Sequence, residues 1–453
     1  MSNSLFVKQV SIPAPLSQVF DWHCREGALL RLTPPWEHIQ VLKQSGIQNG
    51  AETEFRIWTA GLPIRWKALH QNYIHNQVFE DIQLKGPFAH WHHQHLFKSE
   101  KENVCSLEDR IQYKLKGGFW GNLAGNAFIQ QKLDHMFRYR HHVLHTDFSR
   151  KHQLFHPLKL IISGSRGQIG SFIIPYLNTQ GHTIKCLVRN MSIQSENELY
   201  WTSSSEKLAD AFQDTDVVIH LAGEPIGEGR WNAEKKKRIV DSRVQGTHGI
   251  AKALALMNKP PKTFISASAI GYYGNRANDW LEEKEASGSD FISYVCSEWE
   301  KAARPAIEKG IRVIFLRIGI VLTPKGGALG RLLLPYKAGL GNIIGNGDQY
   351  ISWLSMNELP YILDHLIFTE NIDGPVNLVS PNPVQQKEFA NILAQSLGRT
   401  VHFTMSDRII LRMFGQMGKE ILLSSTRVYP KKLLESGYVF SYPILNQALS
   451  YLV

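Results

Sequence analysis

Residues 158–188 constrain this chain more than any other stretch. Leu158-Lys-Leu-Ile-Ile-Ser163 is a short apolar run bounded by glycine, the pattern of a buried strand. Gly164-Ser165-Arg166-Gly167-Gln168-Ile169-Gly170 follows directly. Ser171 to Gln180 then reads as a helix ending at Gly181, and Thr183 to Val188 as a second strand. Strand, glycine loop, helix and strand within about thirty residues make one βαβ unit. Gly164 permits the tight turn, Gly167 lets backbone approach a bound anion, and Gly170 lets helix and strand pack closely. The helix N-terminus offers oriented N–H groups to a phosphate. A glycine triplet alone is an ordinary turn; in this order of elements it predicts a dinucleotide site.

The end of the second strand separates the two nicotinamide dinucleotides. A carboxylate there would accept hydrogen bonds from the ribose hydroxyls of NAD. This chain has Arg189-Asn190 instead, and Arg166 stands inside the glycine loop. Two guanidinium groups suit a 2′-phosphate, so the expected cofactor is NADP(H). Asp216 to Leu221 predicts a further buried strand, whose end carries the loop Leu221-Ala222-Gly223-Glu224, and open α/β sheets bind ligands at such ends. Ala233 to Ala255 and Phe291 to Lys309 read as helices, Thr263 to Ala267 and Arg312 to Arg317 as strands. The expectation is an α/β, doubly wound parallel sheet of Rossmann type over residues 158–453, with a small substrate lobe from about 325 onward. The glycine-rich stretch Gly326 to Trp353 reads as loops over the site.

The chain changes character near residue 150. With 453 residues it is too long for one ordinary core, and six of its eleven tryptophans precede that point. Residues 1–150 and 158–453 are expected to be separate domains joined by a polar linker, 151–157. In the first, Phe6 to Ile12 predicts a strand and Pro15 to Leu30 an amphipathic helix. Several short strands follow between Ile39 and Leu115, then a long helix from Gly121 to Asp147 with Ile129, Leu133, Met136, Phe137 and Leu144 on one stripe. Strand, helix, curved antiparallel sheet and closing helix describe an α+β helix-grip fold, and such a fold encloses an apolar cavity that the local aromatic residues could line.

Gly164 to Gly170, the Asp216–Gly223 strand and loop, and Ser266-Ala-Ser-Ala-Ile-Gly-Tyr-Tyr-Gly274 resemble an extended short-chain dehydrogenase/reductase. Leu221-Ala-Gly-Glu-Pro-Ile226 with Arg230-Trp231, Ser242-Arg243, Gly339-Leu-Gly341, Gly345, Gly347 and Pro430 to Gly437 are similar to the atypical epimerase family of NADP-binding proteins within it. The resemblance implies an oxidoreductase or epimerase acting on a small or lipophilic carbonyl compound. It also implies a catalytic serine and a Tyr-x-x-x-Lys motif, with tyrosine as acid/base and lysine supporting it. Ser268 falls at the serine position, with Ser266 the weaker choice, and Tyr294 at the tyrosine position. Four residues on stands Glu298, not lysine, and a carboxylate there disfavours a tyrosinate. Glu224, Tyr272 and Tyr273 are alternative polar groups, and a redox-silent NADP(H)-binding sensor is the alternative function. The first domain resembles the START-like (SRPBCC) ligand-binding superfamily, on its order of elements together with Leu32-Thr-Pro-Pro-Trp36 and Gly86 to Trp91.

Composition narrows the remaining classes. A formal net charge of +10 invites a nucleic-acid partner, but the only dense run, Lys235 to Arg238, lies in a polar helical stretch and reads as a solvated face. No apolar run approaches the ~20 residues of a membrane span. Cys24, Cys105, Cys186 and Cys296 are too dispersed for a zinc or disulfide framework, so the expected setting is the cytoplasm. Histidines crowd two segments, His90 to His95 and His135 to His145. On a strand His90 and His92 share one face and His93 and His95 the other, and no carboxylate joins either pair at ligand spacing. The expectation is therefore no metal.

Overall fold

The computed structural model describes every residue except 1, 2, 60, 117, 151–155 and 191–195, with backbone alone for 118–124. Most of the expected linker thus lies outside the described residues. The chain forms two compact units, residues 1–155 with 175–181, and residues 156–174 with 182–453.

The first unit opens with strand β1 (Ser4–Ile12), then helices α1 (Leu16–Cys24) and α2 (Ala28–Arg31). The single helix expected over Pro15–Leu30 is broken where Arg25 turns extended, with ψ 149°, and Gly27 takes φ +93°, a left-handed conformation that glycine adopts at little cost. Strands β2 (Ile39–Gln44), β3 (Glu52–Thr59), β4 (Leu62–Ile74), β5 (Val78–Lys85), β6 (Phe88–Lys101) and β7 (Val104–Leu115) follow, several of them longer than the short strands expected. They form one antiparallel sheet in the order β1-β7-β6-β5-β4-β3-β2, and helix α3 (Gly118–Ser149) follows it. The pleat sorts side chains cleanly: on β6, Trp91, His93, His95 and Phe97 are buried while the alternate residues are less so. From α3, Leu133 and Phe137 join Trp66, Trp91 and Tyr113 in one core cluster, with Ile129 and Met136 packed against it. Leu144 belongs to a second cluster with Trp22, Phe20 and Phe97. A buried, two-toothed ion pair from Arg31 to Asp147 ties α2 to α3 at 2.6 and 3.0 Å.

The second unit is a Rossmann-like α/β fold. Strand β8 (Lys159–Ser163), helix α4 (Gln168–Gln180) and strand β9 (Thr183–Val188) form the βαβ unit. After β10 (Glu198–Tyr200), α5 (Ser205–Ala211), β11 (Val217–His220), α6 (Ala233–Leu256) and β12 (Thr263–Ala269), the expected long helix over Phe291–Lys309 is two pieces. These are α7 (Phe291–Lys301) and α8 (Arg304–Glu308), the second carrying Pro305 at its start, where a missing N–H costs nothing. The seven parallel strands run β10-β9-β8-β11-β12, then Arg312–Ile318, then Gly374–Leu378. The central strands are apolar throughout because helices cover both faces: Leu160, Ile161, Ile162, Val217, Val218 and Ile219 are all buried. Part of the stretch read as loops, Gly326–Trp353, is helix α9 (Gly327–Lys337) with short strands at Asn342–Ile344 and Tyr350–Ile351.

His220, at the end of β11, is fully buried, with Nδ1 2.5 Å from Ser163 Oγ. Burial, with a smaller push from the Arg243 charge, lowers its pKa to about 3. The unfolded chain binds a proton there near pH 6.5 while the fold refuses it until about 3, so stability falls as pH drops through that window. The expected slope is about 1.4 kcal/mol per pH unit from this one group. His220→Asn should flatten the pH dependence of urea unfolding between about pH 6 and about pH 4 by close to one proton; an unchanged slope would refute the assignment.

Candidate functional site

The site is built at the carboxyl ends of β8, β9, β11 and β12, where strand order reverses about β8. Gly164 has φ +75°, and a Cβ there would stand 2.8 Å from the backbone of Leu221 and Ala222, so the loop after β8 lies hard against the loop after β11. A Cβ on Gly170 would meet Gly164 O at 2.3 Å. At Gly167 the only atom near a Cβ among the described residues is Gly164 O, at 3.1 Å, and the glycine is exposed, so its outward side is open. Gly167 N–H closes the turn onto Gly164 O at 2.9 Å, and Gln168 opens the helix, whose first-turn N–H groups have no partners within it. Two tight glycines beneath an open one at a helix N-terminus fit a dinucleotide pyrophosphate. Ser165 is buried beneath the loop and Ile169 half-buried, whereas the exposed Gln168 reaches the backbone of Gly326.

The two arginines behave differently. Arg189 is exposed just beyond β9, and Arg166 donates to Glu198 Oε1 at 2.8 Å. Glu198 arrives through the pairing of β10 with β9, opposite Cys186, which sequence spacing does not reveal. The loop after β11 is pinned from α6. Ser242 Oγ accepts from Glu224 N–H at 3.0 Å, and Arg243 donates to Glu224 O at 3.0 Å. The Glu224 carboxylate accepts from Lys235 at 2.8 Å, and that ammonium, with Arg238 beyond it, holds the carboxyl below its usual range. Glu224 is therefore an ion-paired carboxylate rather than a free acid/base.

Ser268 stands at the end of β12 but is only 2% exposed, and its hydroxyl donates to Glu300 Oε1 at 2.8 Å. Glu300 in turn holds Arg317 with two bonds of 2.9 Å. Arg317 donates onward to Tyr273 Oη and Glu283 O, both at 3.0 Å, and Tyr273 donates to Asn377 at 2.7 Å. The Arg317 guanidinium lies 3.5 Å from the centre of the Tyr272 ring. Burial, only partly offset by Arg317 and Asn377, pushes Tyr273 up to about 12, which removes it as an acid/base near neutrality. Ser266 is wholly buried and donates to the Ala267 carbonyl. Tyr294 is brought to α7 but is 55% exposed. Glu298, four residues on, accepts from Lys301 at 2.8 Å. The Ser268–Glu300–Arg317–Tyr273–Asn377 chain went unread in the sequence, because its members come from five separate elements.

In the first unit the sheet and α3 enclose a cavity of about 330 Å³, lined by apolar groups such as Phe55, Ile64, Trp66 and Leu133. Its wall also carries Asp81, His93 and His95. The expectation that no carboxylate joins these histidines is corrected here: antiparallel register sets Asp81 opposite His93 and Asp109 opposite His95. Burial alone would raise the Asp81 carboxyl, but the two imidazoles hold it well below the usual range. Among the second group of histidines, His135 stacks on Trp36 at 4.2 Å.

Comparison with known proteins agrees with this geometry. Residues 160–354 match the NAD dependent epimerase/dehydratase family, and residues 408–452 match a domain of unknown function, DUF1731. Epimerase family protein Mb2239 of Mycobacterium bovis is 35% identical over 291 residues, 64% of this chain and 96% of the relative. Human epimerase family protein SDR39U1 is 31% identical over 299 residues, 65% of this chain and all of the relative. Among solved structures, a nucleoside-diphosphate sugar epimerase from Corynebacterium glutamicum superposes with a TM-score of 0.80 at 30% identity, covering 98% of this chain and 89% of that one. Human SDR39U1 in complex with NADPH superposes with a TM-score of 0.61 at 30% identity, covering 65% of this chain and 99% of that one. Among the described residues no helix is long and apolar enough to cross a membrane. With its glycine cradle, its parallel sheet and relatives matched over nearly their whole length, the chain belongs to the epimerase family.

Proposed function

We propose that this protein binds NADP(H) at the carboxyl edge of its parallel sheet and acts as an oxidoreductase or epimerase on a small or lipophilic carbonyl compound. The observation that carries the reading is the cradle of Gly164, Gly167 and Gly170, tight beneath and open above. Support comes from the human relative that is described with NADPH. In this reading Gly164 to Gly170 hold the pyrophosphate, Leu221 to Glu224 flank it, and Arg189 with Arg166 meets the 2′-phosphate after Arg166 exchanges Glu198 for it. The bound cofactor supplies or accepts a hydride; the chain's own part is to bind, orient and shield. We further propose that residues 1–150 form a START-like domain whose cavity takes an apolar ligand, with residues 158–453 the cofactor-binding domain. The cytoplasm is the proposed setting.

One observation favours the second reading, a redox-silent NADP(H)-binding sensor: the Ser268 hydroxyl is committed to Glu300 and is not presented to a carbonyl. Titration with both cofactors tests the shared part. NADPH should bind much more tightly than NADH, and Arg189→Asp should shrink or reverse the gap, a lost charge-assisted contact costing about 1.5–3 kcal/mol. Equal affinities in the unaltered protein would sink the assignment. Following NADPH absorbance across aldehydes, ketones and quinones then divides an oxidoreductase from a sensor, and an epimerase, which returns its hydride without net absorbance change, is read from the stereochemistry of the product.

A further inference from the structure

The histidine-rich strand of the first unit holds a second constellation of reactive groups, independent of the cofactor site. Asp81 on β5, with His93 and His95 on β6, point one ligand atom each to a common spot, all three within 4.8 Å of one another. Asp81 Oδ2 stands 3.4 Å from His93 Nδ1 and 3.8 Å from His95 Nε2. These separations are long for hydrogen bonds. They suit donors sharing one ion, because ligands each about 2.1 Å from a tetrahedral metal lie about 3.4 Å apart.

The surroundings are those of a held site. Asp109, nearly fully buried on β7, lies 3.0 Å from His93 Nε2 in hydrogen-bond geometry, on the far side of the ring from Asp81. A carboxylate there fixes the tautomer that leaves Nδ1 free to ligate. Asp109 Oδ1 is also 2.8 Å from His95 Nδ1, though out of hydrogen-bond line. Asp109 Oδ2 also stands 3.7 Å from His141 Nε2, and Arg140 lines the same cavity wall.

We propose that Asp81, His93 and His95 bind a divalent first-row transition metal ion on the wall of the N-terminal cavity. Two imidazoles and one carboxylate are a donor set suited to zinc or iron(II). Three protein ligands leave at least one coordination position for water or for an oxygen donor on a cavity ligand. The competing arrangement is metal-free, with a protonated imidazole clamped between the two carboxylates.

The test uses the full chain, stripped with a chelator and titrated with Co²⁺ as an optical probe. One equivalent should bind with a visible d–d band, Zn²⁺ should displace it, and the NMR spectrum of the Co²⁺ form should show two strongly shifted imidazole N–H protons. Asp81→Asn and His95→Gln should each weaken uptake by more than about 100-fold, and Asp109→Asn by about 10–100-fold as for loss of an outer-shell partner. His75→Gln, in the exposed turn after β4, should change nothing. Absence of a stoichiometric band in the unaltered protein overturns the proposal, as does uptake unchanged by both ligand substitutions. If those variants fail to fold, the unaltered Co²⁺ form still decides, since fewer than two shifted imidazole signals excludes the site.

Discussion

Glu300→Gln should destabilise the second unit by about 3–5 kcal/mol, the cost of leaving one half of a buried ion pair uncompensated. The side chains of Arg317 and Glu300 are 3% and 12% exposed, so little water reaches the pair. Glutamine keeps the shape and can still accept from Ser268, so the loss reports the charge rather than the packing. Arg317 would retain Tyr273 and the Glu283 carbonyl, but neither carries a charge to offset the guanidinium. Burial works against that cation, and Glu300 is the main group that favours it. The double variant Glu300→Leu with Arg317→Met removes both charges and should be more stable than either single change, since the pair couples strongly. Urea unfolding of the unaltered protein, Glu300→Gln, the two single variants of the cycle and the double variant checks this. A Glu300→Gln loss below about 1 kcal/mol would mean that the pair behaves like a solvent-screened surface bridge.

How much of this was legible beforehand depended on whether a feature is local in sequence. The cradle is local: one loop supplies Gly164, Gly167 and Gly170, and their place between a strand and a helix, rather than their spacing alone, made the turn readable in the sequence. The parallel sheet was legible for a related reason, since strands buried on both faces are continuous apolar runs such as Leu160 to Ile162 and Val217 to Ile219. Helix lengths were less so. A periodic pattern continued across Gly27 and across Ala302–Ala303, while the backbone turned at both places. The polar networks were not legible at all. Ser268, Glu300, Arg317, Tyr273 and Asn377 span over a hundred residues, and Asp81 meets His93 only through the register of β5 on β6. Residue type and spacing identify partners along one element. Partners across elements require the pairing itself, and one slip of register would have turned Asp81 to the other face.

Tyr294→Phe should abolish any turnover of NADPH, by ~100–10,000-fold as for loss of a positioned acid, while leaving NADPH affinity unchanged. The structure gives this residue a more favourable setting than the sequence suggested. Its ring is 55% exposed on α7 and the hydroxyl has no hydrogen bond among the described residues, so it is accessible to a substrate. Glu298, at the position where a lysine would stand, is engaged by Lys301, which partly neutralises it. Lys301 is seven residues beyond Tyr294, two turns along the same helix face. An ammonium therefore stands on the tyrosine's side of the helix even though the four-residue spacing is missing. If that cation supports the acid, Lys301→Met should lower turnover as well and shift its pH profile, without loosening NADPH. Turnover that survives Tyr294→Phe would remove the acid/base from this helix. With Glu224 ion-paired and Tyr273 pushed up to about 12, the remaining side chain near the expected cofactor face would be Tyr272, which lies on the Arg317 guanidinium. A protein that binds NADPH tightly, yet neither turns over the carbonyl panel nor inverts a stereocentre in any candidate substrate, would instead favour the sensor reading, in which Ser268 serves Glu300 as structure alone.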